Sequence, residues 1–471
     1  MASDGCEVNL AGNASHCGAC GHACGTGEYC SHARCICPAG AACETGVLSA
    51  DYRFDAATGM GTDSSVQMNT ATPVNAPTTS TGYSHEAVTL APPQYLTVAS
   101  PRVPLGTSPR TVEAWVRPTG YPDPAYSGIL SYGPRSCSPA GSSQVLSLGT
   151  VAAGGFVSSA NWCDDLAEPA AGPRIALGTW NHVAYTYDGV SARALYVNGV
   201  QVAMDTPAPA INTMLGVMNI GATDNPAGRF FQGDIDQLRV WSVARSAAQI
   251  LDDATLAAHF TLDSTTMVDD GPNHLNGTTM STTAVAGHVG MAASFSGMQT
   301  SYASAGGFTA LGQTHMPNQP FSMAMWINPT AASGILVHVS QASNGGGWCT
   351  PFLGFDATGH LVGQIYSNGA DAGATTSAAI PTGMWTHVAL TWSMANGVRV
   401  YVNGTLTAMN TAVTTYSASG APDFITLGSE LMGGGCSAGP ITTGPYSGLM
   451  DDVWVYSREL TAAEVATFAA Q

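Results

Sequence analysis

The 471-residue sequence predicts an all-β protein, two β-sandwiches in tandem behind a small loop-rich module stapled by disulfides. Three observations carry that prediction. First, the chain repeats itself: Trp180, His182 and Asn198-Gly199 return 205 residues later as Trp385, His387 and Asn403-Gly404. Ala114-Trp115-Val116 returns as Met325-Trp326-Ile327, and Gly233 to Asp236 returns as Gly448 to Asp451. The anchors therefore keep their order while the loops between them change length. Second, 55 Gly, 27 Pro and only 9% charged residues fit strands with long polar loops, whereas helical bundles want more Glu, Lys and Leu. Third, the twelve cysteines are uneven in distribution, and most of them crowd the N-terminal segment.

Residues 1–45 hold Cys6, Cys17, Cys20, Cys24, Cys30, Cys35, Cys37 and Cys43. A segment this short, with almost no large aliphatic side chains, cannot bury a core, so covalent bridges are expected to stand in for one. Zinc is the rival reading, because Cys17-Gly-Ala-Cys20 has ligand spacing and His16, His22 and His32 lie nearby. The first sandwich is expected over residues 46–255. It opens with the alternating segment Ser49 to Asp55, closes with Ile235 to Ser242, and ends in a short helical pattern from Ser246. The second, over residues 256–471, opens with Leu256 to Asp263, closes with Met450 to Tyr456, and ends in the helical pattern Leu460 to Phe468.

Within each repeat, Val183 to Tyr187 and Val388 to Trp392 alternate with period two, as strands with one buried face do. Leu195 to Val202 and Val400 to Thr407 place Asn-Gly between apolar runs, the pair that tolerates the positive φ angles of a type I′ turn. The remaining cysteines sort by repeat, Cys137 and Cys163 in the first and Cys349 and Cys436 in the second. One bridge per sandwich is expected.

The formal charge is −18, and all 13 basic residues are arginine. Lysine-based covalent chemistry is thereby excluded, and nucleic acid is an unsuitable partner for so acidic a chain. No run of 18 apolar residues exists to form a transmembrane segment. The start of the chain lacks the basic and apolar regions of a signal peptide. The cysteines nevertheless point to export, so a secreted or cell-surface protein whose leader has been removed is expected.

Each repeat resembles a laminin-G-like, concanavalin A-like jelly roll. The second carries Phe260-Thr-Leu-Asp263, the loop Asp269-Asp-Gly-Pro-Asn273-His-Leu-Asn276-Gly277, Gly287 to Gly297, Trp385 to Ala389, Tyr401 to Gly404 and Met450 to Tyr456, in the order of that family's motifs. The first copy departs at the loop, where Asp63 to Asn69 keeps the aspartate and loses the Gly-Asn. The resemblance covers residues 46–471. It implies calcium held by Asp269 and Asp451 with help from Asn273 and Asn276, and by Asp63 and Asp236 in the first copy. Flexible oxygen-rich loops suit that ion; the alternative is that these aspartates accept backbone hydrogen bonds.

The resemblance also implies recognition of an extracellular glycan or glycoprotein through loops at the sandwich rim. Trp162-Cys163 and Trp348-Cys349 recur at a loop in both copies. Each tryptophan is expected either to form an aromatic platform for a sugar ring or to pack over its disulfide, and the second copy is expected to dominate binding. His182 and His387 read as half-buried structural histidines rather than catalytic ones. A polysaccharide hydrolase or lyase is the alternative, although the Glu-x-Asp-x-Glu triplet of sandwich glucanases does not occur; a structural surface protein is a third reading.

Overall fold

The two Asn-Gly dipeptides turn the chain as their chemistry requires. Asn198 and Gly199 have φ of 50° and 80°, and Asn403 and Gly404 have 47° and 74°, the left-handed pair of a type I′ turn whose twist matches the flanking strands. Around these hairpins the computed structural model describes residues 48–471 apart from 123–125, 138–140, 152–153, 191, 206–210, 224–227 and 432–435. It also describes the backbone of a short hairpin, Tyr29–Ser31 with Arg34–Ile36. The bridges and the zinc reading assigned to the N-terminal cysteines lie outside the described residues.

Residues 44–254 form one compact unit and residues 255–471 belong to another. Each is a jelly-roll sandwich of an eight-stranded and a seven-stranded antiparallel sheet. In the first copy the larger sheet runs Val200–Asp205, Arg193–Val197, Asn181–Tyr187, Arg110–Gly120, Gln232–Trp241, Glu86–Leu90, Thr78–Thr81. The smaller runs Asp165–Ala167, Gly154–Ala160, Gln144–Val151, Tyr126–Tyr132, Met218–Ile220, Tyr95–Val98, Thr72–Val74. Period-two alternation sends Val112, Val183 and Leu238 of one sheet and Leu130, Leu148 and Ile220 of the other into a shared apolar core. The second copy repeats this with Met323, Val388 and Val453 facing Val337, Leu353 and Ile425. The register repeats too, since Trp115 pairs with His182 and Trp326 with His387.

The closing strand of each copy has three partners. Gln232–Trp241 pairs along one side with Arg110–Gly120; on the other it pairs first with Glu86–Leu90 and then with Leu48–Tyr52. Ser447–Tyr456 does the same with Phe321–Pro329, Met291–Ser296 and Leu256–Phe260. The change of partner falls at a bulge, where Gln237 and Asp452 take φ of 47° and 48°.

The outer face of the larger sheet is covered by a helix in each copy, and the two copies fill that interface by different means. In the first, beside Ala247–Thr255, Arg245 grips Asp253 with two hydrogen bonds of 2.7 and 2.8 Å, and the Trp241 indole donates to Glu113 at 2.7 Å. Burial, reinforced by Asp253, pushes the Glu113 carboxyl up to about 7. In the second, beside Ala462–Phe468, the equivalent positions are Ala324 for Glu113, Tyr456 for Trp241, Leu460 for Arg245 and Phe468 for Asp253. All four are buried in one apolar cluster, with the rings of Trp454 and Phe468 stacked at 5.5 Å.

Because a buried charge without its partner is worse than no charge, Arg245→Leu alone should destabilise the first copy by about 3–5 kcal/mol. The double change Arg245→Leu/Asp253→Phe, which installs the residues of the second copy, should come within about 2 kcal/mol of the parent. Urea unfolding of the three chains measures both, and equal losses for the single and double variants would show that the two fillings are not interchangeable.

Candidate functional site

Alternation also builds the outer face of the smaller sheet. In Gln144–Val151 of the first copy, Leu146 and Leu148 enter the core, so Val145 and Ser147 face outward. With Ala160 they floor a cavity of about 250 Å³, close to the lower end of the range of about 300–1,000 Å³ for small-ligand sites. Tyr126, Trp162, Asp165, Thr223 and Arg229 rise around it. Trp162 and Cys163 take positive φ, 33° and 65°, in a tight turn that carries the half-buried indole to the rim. The Cys137–Cys163 bridge ties this turn to the preceding loop, and the Arg135 guanidinium lies 4.0 Å over the indole. Arg229 sits 5.7 Å over the Tyr126 ring. Burial raises the Asp165 carboxyl above its ordinary range against the opposing pull of Arg193 and Arg229.

The second Trp-Cys loop is built differently. Trp348 packs against the core of its copy, with its ring edge-on to Tyr366 and Tyr416 at 6.4 and 6.1 Å, and Cys349 is bonded to Cys436. Of the two tryptophans, Trp162 borders the cavity, whereas Trp348 packs against its core.

The loop aspartates organise backbone. Asp269 accepts from the amides of His259, Gly271 and Leu275 at 2.7–2.8 Å; Asp63 accepts from those of Asp51, Ser65 and Asn69 over the same range, and from the Ser65 hydroxyl. Asn273 donates to the carbonyls of Leu256 and Ala257, and Asn69 donates to that of Ser49. The Asn276 carboxamide oxygen accepts from the Asp269 amide at 2.9 Å. The first loop thus keeps the hydrogen bonds of the second despite its missing Gly-Asn, because the Ser65 amide donates to Asp63 as the Gly271 amide donates to Asp269, and Asn69 serves the first strand as Asn273 does.

The closing-strand aspartates hold a hairpin turn at the point where the strand changes partner. Asp236 accepts from the amides of Ser84 and Gln237, and Asp451 from those of His288 and Val289. A Cβ at Gly82 or Gly287 would lie 2.6 or 2.5 Å from the carboxylate, so only glycine lets the turn close on it. Asp269 and Asp451 take separate sets of partners, and both oxygens of Asp63 and of Asp269 accept hydrogen bonds. Asp451 differs: its Oδ1 is buried with no hydrogen-bond partner, and burial pushes the carboxyl up to about 8. Among the described residues the one group of three His, Cys, Asp or Glu side chains whose ligand atoms converge is His338, Cys349 and Cys436, and its two sulfurs are joined to each other.

The paired histidines are buried. His182 Nε2 lies 3.6 Å from Glu113, and burial lowers its pKa to about 4; His387 is lowered to about 3 by burial and by His288. Each sits edge-on to the tryptophan across the strand pair, Trp115 or Trp326, whose other neighbour is a stacked ring, Tyr83 at 3.5 Å or His288 at 3.6 Å. Neither histidine lines the cavity. The sequence marks Trp162, while Tyr126, Asp165 and Arg229, which line the same cavity, carry no local motif. The scarcity of basic residues was the available signal, since each arginine of so acidic a chain invites the question of what it pairs with.

The chain belongs to the concanavalin A-like lectin/glucanase superfamily, whose profile matches residues 93–251 and 303–466, more than half of the sequence. No curated protein matches it in sequence. Among solved structures, it is similar to domain 4 of AbnA, a GH43 extracellular arabinanase from Geobacillus stearothermophilus, solved in complex with arabinotriose. The identity is 20% and the TM-score 0.36, over 44% of this chain and 98% of that one. A putative carbohydrate-binding protein from Bacteroides ovatus is 25% identical over 38% of this chain and 53% of its own, with a TM-score of 0.25. The receptor-binding domain of botulinum neurotoxin type G is 13% identical over 46% and 51%, with a TM-score of 0.32. Among the described residues no helix is long and apolar enough to cross a membrane.

If Asp63 and Asp269 serve the backbone, Asp63→Ala and Asp269→Ala each orphan three buried amides and should cost their own copy about 3 kcal/mol or more. The loss should be the same in calcium and in chelator. Denaturant melts under both conditions check this, and a loss that appears only with calcium present would assign the carboxylates to the ion instead.

Proposed function

We propose that this is a secreted or cell-surface recognition protein that binds glycan, free or on a glycoprotein, in the first-copy cavity. The observation that carries the reading is the lining: two aromatic rings beside a carboxylate and a guanidinium that are not within ion-pair range of each other. A sugar ring offers C–H faces to Trp162 and Tyr126, hydroxyl donors to Asp165 and hydroxyl acceptors to Arg229. Among the described residues one carboxylate lines the cavity, whereas glycoside hydrolysis of the ordinary kind asks for two, about 5–10 Å apart, so binding without turnover is the reading the described lining favours. Bridges in both copies support an oxidising, extracellular setting. Calcium support enters the proposal at Asp451, whose spare oxygen is the one left over among the carboxylates expected to hold the ion.

A glycan array followed by calorimetry on the best ligand tests this. Trp162→Ala should weaken binding by about 1–3 kcal/mol with the fold intact, while Trp348→Ala should lower stability and leave affinity nearly unchanged. Unaltered binding by Trp162→Ala, or turnover of the glycan, would overturn the reading. A second-copy melting temperature indifferent to chelator would remove calcium from it.

A further inference from the structure

Most arginines of this chain are committed. Arg193 is bound to Asp164 and Asp205, Arg174 to Glu168, Arg117 to Asp234, and Arg245 to Asp253. Arg229 is not. Its guanidinium lines the cavity beside Tyr126, and no hydrogen bond or ion pair joins it to any described residue. Its backbone is firmly placed: the Arg229 carbonyl accepts from the Gly128 amide at 2.9 Å, Thr223 and Gly228 exchange hydrogen bonds just before it, and Phe231 is buried just after. A half-buried guanidinium held over a cavity, its donors unspent on any described residue, presents a planar fork that fits a carboxylate or sulfate oxygen pair. Among the described residues Asp165 is the one acid in the lining, and it is out of ion-pair range of Arg229, so it does not fill that fork.

We propose that the glycan bound here carries an anionic substituent, a carboxylate or a sulfate ester, seated on Arg229 while the sugar ring lies against Trp162 and its hydroxyls meet Asp165. This rests on the glycan-binding reading and narrows it. The overall charge of −18 sets a further limit: a polyanionic chain is repelled by the rest of the surface, so the acidic residue stands alone in an otherwise neutral glycan.

The test is an array that presents uronate-bearing, sialate-bearing and sulfated oligosaccharides beside their neutral parents and beside polyuronate, probed with the full chain and with Arg229→Gln, Arg229→Lys and Trp162→Ala. A singly acidic glycan should bind roughly 10- to 100-fold more tightly than its neutral parent, and Arg229→Gln should erase that margin, bringing the acidic and neutral forms to within about threefold of each other. Arg229→Lys, which keeps charge and loses the fork, should restore part of it. Preference among the uronate, sialate and sulfate arms identifies the substituent. Equal binding of acidic and neutral forms, still sensitive to Trp162→Ala, would overturn this inference and leave the glycan-binding reading standing. Binding insensitive to Trp162→Ala, or none on any arm, would overturn both, and tighter binding of polyuronate would contradict the lone-charge limit.

Discussion

The fold of each copy depends on one strand that must serve three partners. Gln232–Trp241 and Ser447–Tyr456 lie inside their sheets, and the partner on one side changes halfway along. Such a change strands backbone amides, because the bulge that permits it breaks the ladder. A buried carboxylate solves this locally: Asp236 and Asp451 each collect the amides of the adjoining hairpin turn, and a glycine in that turn makes the approach. Asp63 and Asp269 do the corresponding work at the loop after the first strand. A chain with few charged residues thus spends several of its acids inside, as acceptors that complete the hydrogen-bond inventory of an irregular backbone.

With the scaffold held in this way, the faces of the two copies are free to diverge. Beneath the closing helix the first copy keeps an ionic cluster around Glu113, Arg245 and Asp253 where the second stacks Trp454 and Phe468. Both fillings bury the same interface, and they differ in that the ionic one penalises loss of a single member more heavily. The copies diverge again on the outer face of the smaller sheet. The first copy leaves a cavity behind Trp162, and the second packs its Trp-Cys loop against Tyr366 and Tyr416.

What could be read from sequence was what is local. The Asn-Gly hairpins, the Trp-x-His-Val-Ala strands and the closing strands with their helices are short segments whose residues impose their own geometry, and the structure has each of them. The loop around Asp63 was harder to read, because its likeness to the second copy lies in where hydrogen bonds run and not in the Gly-Asn letters; Asn69, which takes the part of Asn273, was passed over. The cavity was harder still. Tyr126 and Arg229 are about a hundred residues apart and become neighbours only because Met218–Ile220 pairs beside Tyr126–Tyr132. No local pattern marks such a meeting.

The acids that hold the backbone are thus distinct from the small set of side chains, Trp162, Tyr126, Asp165 and Arg229, that line the cavity proposed to take a glycan. The most direct test of that separation is to follow the indole N–H resonances of the nine tryptophans while the glycan selected by the array is titrated in, with Trp162→Phe and Trp348→Phe supplying the assignments. The account predicts that the Trp162 resonance moves with saturation and the Trp348 resonance stays in place. Movement of Trp348 without Trp162 would contradict it.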